Sequence, residues 1–199
     1  MKLVGFLLAL LLLWSQPALA QAPVWLVGDA GGATELHRNG KVQPLRRGLR
    51  LQPGDMVATG ANGRASLSRG REFIVMSPKT RLTIPAPAQQ DGGMTQIIQQ
   101  AGRAMFDIQR RATPHFGVRT PHLATVVRGT VFTVTVDEKG CRVAVTEGRV
   151  EVATHDGRAR EFVGPGMQAT APAHDHSKII LAPTDTNNGA KGAAAPRSH

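Results

Sequence analysis

The sequence predicts an all-β protein: a single domain of many short, mostly antiparallel strands. Three observations carry that reading. Apolar residues alternate with others from His115 to Val152: Phe116 and Val118; Leu123, Thr125 and Val127; Phe132, Val134 and Val136; Cys141, Val143 and Val145; Val150 and Val152. Such period-2 alternation lines one face of a strand, whereas an amphipathic helix repeats near 3.6 residues. The stretch as a whole is rich in Val and Thr, whose branched Cβ stiffens χ1 and favours strands. Turn chemistry at Pro121, Gly129, Lys139-Gly140 and Glu147-Gly148 cuts the pattern into segments. A two-layer sandwich and a flattened β-solenoid both accommodate this pattern.

The remaining elements follow in chain order. Met1 to Ala20 has the plan of a secretory signal peptide: Lys2, an apolar run from Leu3 to Leu13, then Ala18-Leu19-Ala20 before Gln21. Cleavage after Ala20 is expected. An uncleaved anchor is the alternative, but the run is shorter than the roughly 20 apolar residues a span needs. Val24 to Val27 reads as a strand ended by Gly31-Gly32. Ala33–Arg38 and Val42–Leu45 flank Asn39-Gly40, the strongest short hairpin signal because both residues accept positive φ. Pro53-Gly54 fits a type II turn, and Asp55 after it suits a carboxylate accepting nearby backbone N–H groups. Asn62-Gly63 precedes a strand from Arg64. Glu72–Met76 and Arg81–Ile84 follow, and Pro85–Gly93 reads as an irregular loop. Thr95–Gln100 and Arg103–Gln109 read as a hairpin around Ala101-Gly102. His155 to Arg158 is a hairpin tip, Arg160–Val163 and Met167–Thr170 are weak strands, and Lys178–Leu181 is a closing strand. The domain is expected to span residues 21–182, with residues 183–199 a disordered tail lacking apolar periodicity.

Composition bounds the function. Of 199 residues, 41% are apolar, enough for a core; 22 Gly and 13 Pro suit many turns. There is no Tyr and only two Trp, which argues against stacking platforms for nucleic-acid bases. Without Lys2 the chain carries 23 Lys and Arg against 14 Asp and Glu, near +9. Arg46, Arg47 and Arg50 form the tightest basic cluster and are candidates for contact with an anionic polymer or a partner. Cys141 is the single cysteine, so no intramolecular disulfide can form; in phase with Val143 and Val145, it points to the core. His174 and His176 with Asp175 are the one close set of ligand types, short of the fixed three or four ligands that a metal site needs. No nucleophile elbow, zinc-protease helix motif or phosphate loop is present, nor a convincing acid/base pair. No catalytic, cofactor or metal residue is assigned.

Five pieces of the chain, in order, resemble one family. Pro53-Gly54-Asp55-x-Val57-x-Thr59-Gly60 is similar to its opening, and Gly102 to Ile108 to its middle strand. Phe116-x-Val118-x-Thr120-Pro121, then Arg128-Gly129-Thr130-x-Phe132, then Glu147-Gly148-x-Val150 complete the series. That order looks like the FecR-type periplasmic domain. The resemblance implies that Gly54, Asp55, Gly60, Gly102, Pro121, Arg128, Gly129, Thr130, Phe132, Glu147 and Gly148 are family-motif residues with structural roles. Arg128-Gly129-Thr130 has two readings, a strand-to-strand corner or an exposed anion or partner site. Sigma-regulating relatives carry a cytoplasmic segment, a transmembrane helix and a further periplasmic region, none of which this sequence is expected to hold. It therefore reads as a stand-alone exported domain, periplasmic or secreted. Three functions follow: a non-enzymatic binding or adaptor module acting on an envelope protein; a structural protein holding anionic envelope polymer; or a regulator of sigma-factor signalling linked to iron-siderophore uptake.

Overall fold

A computed structural model describes residues 24–85, 94–175 and 177–184, and these contain strands and turns but no helix. Sixteen strands follow in order: β1 (Leu26–Gly31), β2 (Thr34–Arg38), β3 (Lys41–Pro44), β4 (Met56–Thr59), β5 (Arg64–Arg69), β6 (Glu72–Met76), β7 (Arg81–Thr83), β8 (Thr95–Asp107), β9 (Phe116–Arg119), β10 (Leu123–Val127), β11 (Val131–Asp137), β12 (Gly140–Glu147), β13 (Val150–Thr154), β14 (Arg160–Val163), β15 (Met167–Pro172) and β16 (Ile180–Pro183). The all-β reading holds.

The strands form one hydrogen-bonded network with two arms. One arm runs β1-β5-β6-β8-β11-β12-β15-β16. The other runs β3-β2-β4-β7-β8-β9-β10-β13-β14. Strand β8 belongs to both. Its first half pairs with β7 and β9, and its second half, from Gly102, pairs with β6 and β11.

The two arms bury their inner faces against each other. Phe106 of β8 stacks on Phe132 of β11 at 5.1 Å between ring centroids and meets Phe116 of β9 at 6.1 Å. Trp25 approaches Phe116 edge-on at 6.4 Å. Offset and edge contacts of this kind suit the ring quadrupole and add about 0.5–1.5 kcal/mol per pair beyond burial. This is the two-layer sandwich among the architectures left open above. A solenoid would stack its coils in parallel, and among the described residues only β8 and β9 pair that way.

The hairpin expected around Ala101-Gly102 is not there. Thr95 to Asp107 is one strand of 13 residues. Gly102 does adopt a turn-like φ of 82°, but it bends the strand rather than reversing it. The partner ladder shifts register between Arg81 and Leu82. Inward residues before the bend are Ile97 and Gln99; after it they are Ala104 and Phe106. The change from odd to even numbers is the parity slip that a bulge produces. It keeps both halves of the strand facing the same core while the strand changes sheets. Buried Gln99 covers the bend: its Nε2 donates to Gly102 O at 2.9 Å and to Val134 O at 3.2 Å. Thr80 completes the pairing, accepting from Arg103 N at 3.0 Å and donating to Arg103 O at 2.9 Å through its hydroxyl.

Other local expectations match. Asn39 and Gly40 have φ of 51° and 74° and join β2 to β3. Cys141 is fully buried. Burial pushes its thiol up to about 11, against a smaller opposing effect of a hydrogen bond with Thr120. β16 reaches Pro183, one residue into the expected tail. The signal segment, residues 86–93 of the expected loop, His176 and the rest of the tail lie outside the described residues. No helix among those described is long and apolar enough to cross a membrane.

Two predictions follow from the core. In Gly102→Ala, the new Cβ would lie 2.4 Å from both Lys79 O and Thr80 Cα. Together with the positive φ, this is expected to cost about 2–4 kcal/mol in urea unfolding. The buried Cys141 should resist alkylation at pH 8 in the folded protein and react once unfolded. Its unfolded counterpart ionises near 9 and the folded thiol near 11. Stability is therefore expected to fall as pH rises between those values, less steeply in Cys141→Ala. Equal slopes in the two proteins would contradict this.

Candidate functional site

The site begins with strand register. Antiparallel pairing of β11 with β8 and β12 places Val131 opposite both Asp107 and Glu147. The segments that follow β8, precede β11 and follow β12 therefore meet at one end of the sandwich. Backbone hydrogen bonds fix the meeting. Ile108 and Thr130 exchange N–H···O bonds of 3.0 and 3.1 Å, and Arg111 N donates to Arg128 O at 2.7 Å.

The corner is too tight for side chains at its centre. A Cβ on Gly129, whose φ is 151°, would lie 2.2 Å from Arg110 Cα. One on Gly148 would lie 2.7 Å from Gly129 O. With glycine at both contacts the three segments close, and the residues beside them, Arg110, Arg128 and Arg149, are left exposed.

These arginines border a cleft of about 710 Å³. Its floor is a row across the outer face of three strands, Val126 of β10, Glu151 of β13 and Phe162 of β14, which are direct cross-strand neighbours. Phe162 is 60% exposed. Arg110, Arg111 and Pro114 form a wall. Among the described residues Arg110, Arg128 and Arg149 make no ion pair, and Glu151 is already engaged by Arg160. The cleft is therefore positive over a partly apolar floor.

The wall is anchored from beneath by a buried carboxylate. Glu72, 2% exposed, accepts from Arg69 Nε and Nη2 at 2.8 and 2.5 Å. Its other oxygen lies 3.3 Å from His115 Nε2 and 3.7 Å from Arg111 Nη2. Arg69 also donates to Thr95 Oγ1 at 2.8 Å and lies 4.8 Å from the Trp25 ring centroid. An isolated carboxylate would be costly at this depth, so this cluster fastens the wall to β6 and β8.

The motif residues named from sequence divide into two groups. Arg128, Gly129, Thr130, Glu147 and Gly148 gather at the corner, and Phe132 lies in the core beneath it. In Arg128-Gly129-Thr130, Gly129 and buried Thr130 form the strand-to-strand corner, and Arg128 lines the cleft. Gly54, Asp55, Gly60, Gly102 and Pro121 lie elsewhere. Asp55, 1% exposed, accepts from Gln52 N at 2.7 Å, the local bond expected. It also takes two bonds from Arg38, at 2.7 and 2.5 Å, which hold that guanidinium charged. Gly54 N donates to Ile84 O, and Gly60 N to Ala33 O. Pro121 sits in the exposed turn between β9 and β10. Arg46, Arg47 and Arg50 are exposed between β3 and β4 and line no part of the cleft. Sequence reasoning missed the convergence of Arg110, Arg111 and Arg149 with Arg128. The available signal was that each lies next to a strand end, but which ends meet is a matter of topology.

This is an all-β domain whose glycine corner builds a cationic cleft. Residues 55–151 match the FecR protein family, so the chain carries a FecR-type domain. Two crystal structures, at 2.50 and 1.65 Å resolution, of a protein from Parabacteroides distasonis ATCC 8503 provisionally described as an anti-sigma factor share the fold. Each aligns with a TM-score of 0.55 at 19% identity, over 65% of this chain and 60% of that one. The chain thus spans about 60% of that protein's length. No curated protein matches the sequence.

Gly129→Ala is expected to cost about 2–4 kcal/mol by forcing Arg110 away from the corner. Arg128→Ala beside it, an exposed change, should stay within about 0.5 kcal/mol. Paired denaturant titrations test this, and equal stabilities would show that the corner tolerates a side chain.

Proposed function

We propose that this protein is a non-enzymatic, exported FecR-type binding or adaptor module that acts through a protein partner in envelope sensing or signal transduction. The observation that carries the reading is the FecR match over residues 55–151, a segment that includes the corner glycines and most of the cleft. Export rests on the signal-peptide plan of Met1 to Ala20 and puts the folded domain in the periplasm or outside the cell. A large, partly apolar surface recess with unpaired arginines suits recognition of another macromolecule. A second reading, regulation of sigma-factor signalling, draws support from the fold shared with the Parabacteroides protein.

Crosslinking of tagged protein in cells, followed by mass spectrometry, tests the proposal. One dominant envelope protein is expected. A membrane-bound sigma regulator or an outer-membrane siderophore transporter as that protein would favour the second reading. Capture of only abundant unrelated proteins, or of envelope polymer lost on charge reversal at Arg46, Arg47 and Arg50, would sink the adaptor reading in favour of a structural role.

A further inference from the structure

We infer that the arginine cleft binds an acidic peptide segment of the partner, with carboxylates held by Arg110, Arg111, Arg128 and Arg149 and an apolar side chain seated on Phe162. This deepens the adaptor reading and rests on it for the partner's being a protein. The first argument is charge. The cleft gathers four arginines against one carboxylate, Glu151, which Arg160 already engages. Three of the four arginines have no ion pair among the described residues, so their charge is available to a ligand. Guanidinium groups present planar, paired donors that match carboxylates, and exposed ones are cheap to desolvate compared with ammonium groups.

The second argument is the floor. Phe162 and Val126 stand on either side of Glu151 in one cross-strand row, and Phe162 is 60% exposed. Inorganic phosphate has no use for an exposed ring beside the arginines. An acidic peptide with an interspersed Leu or Phe uses both features. Aromatic and arginine anchors are also the residue types that dominate binding energy at protein interfaces. A third argument is rigidity. The arginines are carried by a glycine corner tied by backbone hydrogen bonds, and the wall is fastened to buried Glu72. Little backbone ordering is therefore needed on binding. The net charge near +9 of the chain without Lys2 adds long-range attraction for an acidic segment.

The test is a fluorescence-anisotropy titration of the mature protein with a labelled Glu/Asp-rich octapeptide holding one central Leu. Controls are the Gln/Asn version of the same peptide and the acidic version with Leu replaced by Gly. The acidic Leu peptide should bind saturably, and raised salt should weaken it. Arg128→Glu with Arg149→Glu should lower affinity about tenfold or more. Phe162→Ala should lower it several-fold and erase the preference for Leu over Gly. Charge reversal at Arg46, Arg47 and Arg50 should change it far less than the cleft variants do. All the substituted side chains are exposed, and unchanged thermal midpoints will show that the variants fold. No saturable binding of the acidic peptide, equal binding by the double variant, or displacement of the peptide by millimolar phosphate alone would overturn the inference. Crosslinking of the double variant separates this inference from the reading beneath it. If it still captures the partner, the cleft inference falls and the adaptor reading stands.

Discussion

Everything in this fold depends on β8 continuing through its bend at Gly102. One strand serves as a rung in both layers, and the bend requires a residue with no Cβ, a parity slip and polar cover for a disrupted ladder. Gln99 and Thr80 supply that cover from inside the core. Without the bend, β8 could complete only one sheet. The other layer would keep its edge groups unpaired, and Phe106 could not meet both Phe132 and Phe116.

The cleft is a downstream product of the same geometry. β8 sets the position of β11, β11 sets β12, and the register of the three brings their connecting segments to one corner. Glycine at 129 and 148 then allows backbone to touch backbone, so the neighbouring arginines have nowhere to go but out. The positive charge of the cleft is thus a matter of chain packing as much as of composition. The buried Glu72 cluster belongs to the same design, since it takes charge from Arg69 inward while Arg111 spans the wall and the cleft.

Strand content was legible because burial imposes period 2 wherever a strand has one wet face, and from Phe116 to Val152 the alternation identifies the inward residues. The Asn39-Gly40 hairpin was legible because its two positive φ values leave few residue choices. Gly102 was misread because a glycine after alternating residues signals a reversal and a bulge equally, and only the neighbouring strands decide between them. Arg38 with Asp55 was half legible: the local backbone bond follows from a short acid in a turn, whereas the ion pair spans 17 positions of sequence. The cleft was the least legible feature. Arg110, Arg128 and Arg149 are each unremarkable in sequence, and they become a site only through a register that composition does not encode.

Strand order around β8 has a mechanical consequence. In both layers every strand before β8 lies on one side of it and every strand after it on the other. No ladder among the described residues joins the first seven strands directly to the last eight. A pull on the arginine corner would therefore reach the first half of the chain by two routes. One passes through the ladders of β8; the other through side-chain ties such as His115 to Glu72 and Phe116 to Trp25. The domain is built as two panels sharing a central post, and a partner that tugs on one panel loads that post.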